Sequence, residues 1–281
     1  MTASTTSTLS AADGTQLLVR RWPAEGVRWW ADVLLVHGIA EHSGRYEKVG
    51  EWLAGSGIAV SAFDLRGFGG SAGKRAFVER WTDYHDDLRD MLAMVRADGG
   101  DRPVAMYGHS MGGLIALGYA VSDPPRTLPD ALVLSAPAID ATIPAWKRAI
   151  AGVLGSVAPT MALKNDFDGE LLSRDPEVGR IYLADPANYH RTAVRLGAEA
   201  FTEQRRIKAA LGRLTIPTLV YHGGQDRLVP TASSEPLGEL RAVTRRTYPA
   251  LRHESHNEPE GAEVVADVVV WLRSVLESAD N

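Results

Sequence analysis

The 281 residues include 45% hydrophobic and 23% charged side chains, the balance of a globular chain long enough to bury a core without covalent staples. There is no cysteine, which excludes disulfides, thiolate-held zinc, iron–sulfur clusters and a cysteine nucleophile from this chain and fits a reducing compartment. A net charge of −5 argues against a nucleic-acid partner.

Met1–Ser10 is rich in Thr and Ser. It has neither the basic stretch nor the apolar run of a secretory signal, so a frayed tail and a cytoplasmic protein are expected. No apolar run reaches the roughly 18 residues of a membrane span. Gln16–Trp22 predicts one strand of an N-terminal hairpin, and Asp32–Val36 a buried strand. Tyr46–Ala54 has helical spacing and stops at Gly55-Ser56-Gly57. Ile58–Phe63 predicts a strand, Trp81–Ala97 an amphipathic helix, Val104–Tyr107 a strand, Met111–Val121 a helix and Ala131–Ser135 a strand. The pattern resumes with strands at Thr218–Tyr221 and Arg245–Tyr248 and a closing helix over Val264–Ser278. Buried strands alternating with helices predict an α/β fold with a mostly parallel sheet covered on both faces. The stretch from Ser135 to Thr218 far exceeds the dozen or so residues of a plain crossover. It carries Pro144, Pro159, Pro176 and Pro186, with helical patches at Trp146–Leu154 and Ala193–Ala210, and reads as a cap inserted over one end of the sheet.

Gly108-His109-Ser110-Met111-Gly112-Gly113 follows a strand and opens a helix. That is the setting of a G-x-S-x-G elbow, which lifts a serine hydroxyl above the sheet edge. The bland alternative is a Gly-rich turn with an idle serine. A hydroxyl is a weak nucleophile and needs a base, and the base needs an orienting acid. Asp226 follows the strand ending at Tyr221, where such an acid belongs. It could also be a turn-forming Asp, and Asp166 and Asp168 are rivals within the cap. Of the two later histidines, His253 follows a strand by a short loop and is assigned as the base, with His256 the alternative. Their spacing is H-E-x-H, not H-E-x-x-H, so no metal site is expected. The backbone N–H groups of Ile39 and Met111 suit an oxyanion hole. His109 is expected to pack under the elbow, His222 to hydrogen-bond at a strand end, and His85 and His190 to be solvated or structural. Gly67-Phe68-Gly69-Gly70-Ser71-Ala72 formally fits a dinucleotide turn. The acids some twenty positions on (Asp83, Asp86, Asp87) fall in a predicted helix, so a Gly-rich loop is preferred and no cofactor is expected.

The chain resembles the monoacylglycerol lipase family of α/β-hydrolases, bacterial branch, over most of its length. His37-Gly38-Ile39-Ala40-Glu41-His42-Ser43-Gly44-Arg45-Tyr46 is similar to the family's H-G-x-G-E-H-x-x-R-Y, and Gly108–Gly113 matches its G-H-S-M-G-G. Phe63–Gly69, Leu134–Ala138, Ser173–Pro176 and His253-Glu254 followed by Asn257-Glu258 resemble further family segments. The resemblance implies an α/β-hydrolase fold with an eight-stranded sheet. It also implies core parts 1–138 and 207–281, a helical cap 139–206, and the triad Ser110, Asp226 and His253 with oxyanion amides on Ile39 and Met111. Glu41, Arg45 and His256 would surround a glycerol head group; the bland alternative is a local Glu41–Arg45 ion pair. Ala40 stands where the family has glycine and Phe68 where it has histidine, which bears on acyl preference.

The expected reaction is hydrolysis of monoacylglycerols or similar lipid esters through an acyl-enzyme. The alternatives are a carboxylesterase, lysophospholipase or thioesterase of the same fold, or a non-catalytic binding protein. The cap residues Ile143, Trp146, Ile150, Val153 and Leu154 are expected to form an apolar acyl tunnel and a rim that touches membrane surfaces transiently.

Overall fold

The computed structural model describes residues 3–26, 29–140, 145–165 and 168–277. The chain runs through β1 (Thr5–Ser10), β2 (Gln16–Trp22), β3 (Ala31–Val36), α1 (Glu47–Gly55), β4 (Ile58–Phe63), α2 (Thr82–Gly99), β5 (Val104–His109), α3 (Met111–Ala120) and β6 (Ala131–Ser135). It continues through α4 (Ala145–Val157), β7 (Ala162–Lys164), α5 (Pro176–Ala184), β8 (Arg191–Ala193), α6 (Val194–Ala210), β9 (Thr218–Gly223), α7 (Glu235–Gly238), β10 (Val243–Tyr248) and α8 (Gly261–Leu276). Ser278, the expected end of the last helix, lies outside the described residues.

Eight strands form one sheet in the order β1-β2-β4-β3-β5-β6-β9-β10. β1 pairs antiparallel with β2, and β2 with β4; the other neighbours are parallel. Parallel strands need helices on both faces, and the side-chain alternation of β3 shows the two layers. Val33 and Leu35 join Val49 and Leu53 of α1 and Val265 and Leu272 of α8. Leu34 and Val36 join Leu88 and Met91 of α2 and Leu114 and Ile115 of α3.

Thr5–Ser10 is not a frayed tail. It is a sheet edge, in register from Thr5↔Arg21 to Ser10↔Gln16. The turn closes by Ala11 N–H donating to the Thr15 carbonyl at 2.9 Å and Gly14 N–H to Ala11 at 2.8 Å, with Gly14 at φ +84°. All but Leu9 are exposed, so the strand has no apolar alternation to read and is held by its ladder and by the strand preference of threonine.

β6 and β9 pair directly, Leu132 opposite Thr218, and the segment between them carries α4, β7, α5, β8 and α6. Within it α4 packs on α6, and β7 and β8 form a three-residue antiparallel ladder. The helices α4 and α6 fall where the sequence predicts them; α5 and the ladder are additional. No helix among the described residues is long and apolar enough to cross a membrane.

Candidate active site

β5 ends at His109 and α3 begins at Met111, so Ser110 occupies the turn between them at φ +52° and ψ −116°. That conformation costs a non-glycine residue about 1–2 kcal/mol. It is held by Ser110 N–H donating to the Ser135 carbonyl at 2.9 Å and by the Ser110 carbonyl accepting from Leu114 and Ala138 at 3.1 and 3.0 Å. The crossing is tight: a Cβ on Gly112 would lie 2.2 Å from the Val36 carbonyl, and one on Gly38 would lie 3.2 Å from Ser110 Cβ. Met111 opens α3, so its N–H is one of the helix's free N-terminal donors.

The loop after β3 carries Ile39, which is partly buried and lines the cavity at Ser110. His37 fixes this loop. Its Nε2 accepts from Leu65 N–H at 2.8 Å, which leaves the proton on Nδ1 to donate to the Gly38 carbonyl at 2.7 Å. Asp64 ties the same loop to the one after β4 by accepting from Ser43 and Gly70 N–H. The glycines at 67–70 thus belong to a loop that runs on to α2 at Thr82. No helix opens on them, as a phosphate site would need. Ala40 sits at φ +61° and is fully buried. Left-handed strain of about 1–2 kcal/mol is offset by about 0.8 kcal/mol for the buried methyl and about 0.4–1 kcal/mol of lost unfolded-chain freedom. Alanine is therefore tolerated where the family has glycine. Phe68 packs edge-on against His37, ring centroids 5.9 Å apart, and does not line the cavity.

Asp226 lies just past β9 and is buried. Its Oδ1 accepts from Leu228 and Val229 N–H at 2.8 and 2.9 Å. Its Oδ2 faces His253 Nδ1 at 2.7 Å and His222 Nε2 at 3.1 Å. Burial alone would raise its pKa. The charge of His253 and these hydrogen bonds prevail, and the carboxyl is held well below the usual carboxylate range. His222 also faces the Val229 carbonyl at 3.0 Å, so it is the expected strand-end hydrogen-bonder and a second support for Asp226 that the sequence reading did not assign. Asp168 is exposed and caps a short turn through Glu170 N–H; Asp166 lies outside the described residues.

Three buried histidine rings meet here: His109 is 4.8 Å from His253 and 4.9 Å from His256, centroid to centroid. Burial and mutual repulsion push His109 well below its ordinary value, and burial takes His256 down to about 4. Burial also opposes a charge on His253, but Asp226 overcomes it and its pKa is raised. Of the three, His253 is therefore the one suited to accept a proton. His109 lines the cavity with Ser110 rather than packing beneath the elbow, with Nδ1 3.1 Å from Ser135 Oγ. His85 is buried against Glu203, and His190 stacks edge-on with Tyr182.

Arg45 binds Glu41 through one nitrogen and grips Glu254 with two, at 2.7 and 2.8 Å. Tyr46 donates to Glu41 at 2.8 Å and stacks on His256 at 5.2 Å. Glu41 and Arg45 line the cavity; His256 is buried behind them. The spacing of Glu41 and Arg45 made one ion pair legible, but Glu254 comes from 209 residues away. Removing the guanidinium would strand two buried carboxylates. Arg45→Ala is therefore expected to lose about 3–5 kcal/mol of unfolding free energy, measured by urea unfolding, with Arg45→Lys losing less.

Ser110 and His253 open into one cavity of about 440 Å³. Its other walls include Ala138, Leu172, Tyr182, Leu228 and Val229, and Gly197, Ala200, Phe201 and Gln204 of α6. Among the described side chains the apolar wall comes from α6: Ile150 and Val153 of α4 are 48% and 65% exposed and Leu154 does not line the cavity. Ile143 and the side chain of Trp146 lie outside the described residues.

The family model Hydrolase_4, described as serine aminopeptidase, matches residues 30–260. The monoacylglycerol lipase of Mycolicibacterium smegmatis is 37% identical over 257 residues, covering 87% of this chain and 88% of that one. The human monoglyceride lipase is 34% identical, covering 93% and 88%. The crystal structure of the Paleococcus ferrophilus monoacylglycerol lipase superposes with a TM-score of 0.80 at 31% identity, covering 92% of this chain and 98% of that one. With a serine elbow on this sheet and relatives of this closeness and coverage, the chain belongs to the monoacylglycerol lipase family of the α/β-hydrolases.

Proposed function

We propose that the protein is a serine ester hydrolase that cleaves monoacylglycerols, or closely similar lipid esters, to fatty acid and glycerol. One observation carries this reading: a single cavity is lined by Ser110 and His253, by the apolar face of α6, and by the polar cluster of Glu41, Arg45 and Glu254. An acyl chain suits the apolar wall and a glycerol the polar one. His253 takes the proton of Ser110 Oγ as it attacks the ester carbonyl, and Asp226 fixes the His253 tautomer. Ile39 and Met111 N–H stabilise the oxyanion. His253 then protonates the departing glycerol oxygen, and water activated by His253 releases the acid from the serine. Glu41 and Arg45 border the head group, with His256 supporting them. The reaction needs neither metal nor cofactor.

In the same reading residues 139–206 act as a cap between core parts 1–138 and 207–281. Val153, Val157, Met161 and Leu163 are exposed on it beside Lys164 and Arg191, which supports transient contact with a membrane surface. A second reading, hydrolysis of lysophospholipids, is favoured by Arg227. It lines the cavity, is exposed, and has no hydrogen-bond or ion-pair partner among the described residues, so it is free to meet a phosphate. Hydrolysis rates for mono-, di- and triacylglycerols and lysophospholipids of one chain length test both readings. Monoacylglycerol is expected to lead by at least tenfold; an equal or higher rate on triacylglycerol would reject the first.

A further inference from the structure

α6 turns one stripe to the cavity: Gly197, Ala200, Phe201 and Gln204 recur at the spacing of a single helix face. Gly197 stands inside this 17-residue helix. A helix interior is an unfavourable place for glycine, whose backbone loses the most freedom on folding. Close contact explains Gly155 on α4, where a Cβ would lie 3.0 Å from Ala198 of α6. Nothing comparable explains Gly197. Its φ is negative, and a Cβ there would meet nothing within 4 Å. Gly152 on α4 is equally unobstructed, but it lines no part of the cavity. What the missing side chain of Gly197 leaves open is room in the space that Ser110 faces.

We infer that Gly197 sets the length and bulk of the acyl chain this site accepts; the inference rests on the ester-hydrolase reading above. The far end of the stripe is tied to the nucleophile. Gln204 Nε2 donates to the Ala138 carbonyl at 2.8 Å, and Ala138 N–H donates to the Ser110 carbonyl at 3.0 Å. Gly197 lies seven residues back, about 10 Å along the helix axis. An extended chain advances about 3.5 Å per three bonds, so an acyl chain needs about nine carbons for that distance, besides those that reach from Ser110 to Gln204. Shorter chains end before the notch, and longer ones occupy it. A side chain at 197 therefore competes with the tail of a long substrate and leaves the chemistry at Ser110 untouched.

The test is the series Gly197→Ala, Gly197→Met and Gly197→Leu in the full chain, assayed with p-nitrophenyl esters from butyrate to hexadecanoate. In parallel, Ser110 is labelled with ethyl and hexadecyl fluorophosphonates. Butyrate kcat/KM is expected to stay within about twofold, while hexadecanoate kcat/KM falls stepwise with side-chain size, by at least tenfold in Gly197→Leu. The hexadecyl label should slow in step and the ethyl label should not. Melting temperatures should hold or rise by about 2 °C, because each replacement is a better helix former. An equal loss at every chain length, or an unchanged hexadecanoate-to-butyrate ratio, overturns the inference. Should Gly197→Leu fail to fold, the ratio in Gly197→Ala and Gly197→Met decides alone. A wild-type protein that neither hydrolyses butyrate nor takes the ethyl label would instead defeat the ester-hydrolase reading, and this inference with it.

Discussion

Ser110→Ala is expected to lower kcat for ester hydrolysis by about 10⁶, close to 8 kcal/mol of barrier, without unfolding the protein. The loss is this large because no neighbouring group can replace the hydroxyl. The chain has no cysteine, and His109, packed on His253, and His256, packed on His109, are held below the ordinary histidine value chiefly by burial. Stability should move the other way in one variant. Ser110 sits at φ +52°, a strain alanine shares and glycine does not. Ser110→Gly should therefore be as inactive as Ser110→Ala yet more stable than it by about 1 kcal/mol. Residual turnover above one part in a thousand in either variant, measured on purified protein, would show that Ser110 is not the nucleophile.

Asp226→Asn is expected to cost about 10⁴ in kcat. The Leu228 and Val229 amides will hold the side-chain oxygen at Oδ1, which turns the new NH₂ toward the positions where His253 and His222 now donate. His253 then loses the partner that keeps its proton on Nδ1. The pH profile carries the sign. In the wild type Asp226 raises the His253 pKa above its ordinary 6.5, so the base form is lost as pH falls through that raised value. The acid limb of kcat/KM should therefore lie above pH 6.5. Without the carboxylate, burial prevails and the pKa falls, so the small activity that remains should have its acid limb shifted to lower pH. A limb that does not move would mean that the observed titration belongs to another group.

Much of the sheet is legible in the sequence because its central strands are short apolar runs, buried on both faces. The elbow is legible because strand, serine and helix are contiguous. β1 is harder to see: its side chains face solvent, and only Asp13-Gly14 between two extended runs points to a hairpin. The strands β7 and β8 are too short to show a period, and α5 is read only after its Asp175 cap is seen accepting from Glu177 N–H. The sequence reading places the acyl tunnel on Ile143, Trp146, Ile150, Val153 and Leu154, apolar residues of the cap. A pattern shows that a face is apolar and not what covers it, and α4 places Ile150 and Val153 outside while α6 faces the cavity. Glu254 shows the same limit. Its tie to Arg45 spans 209 positions, and no local spacing encodes it.

The segment that carries α4 and α6 leaves the sheet after β6 and returns in β9, two strands that pair with each other directly. Its entry and exit are thus adjacent rungs of one ladder, and its length is not constrained by the register of any strand. The segment is nevertheless fastened around the site: Glu254 N–H donates to the Leu172 carbonyl at 2.8 Å, Arg252 to that of Ser173 at 2.9 Å and Gln204 to that of Ala138 at 2.8 Å. A change in the segment's length is therefore free at the ladder but not at these ties, two of which hold the residues on either side of His253.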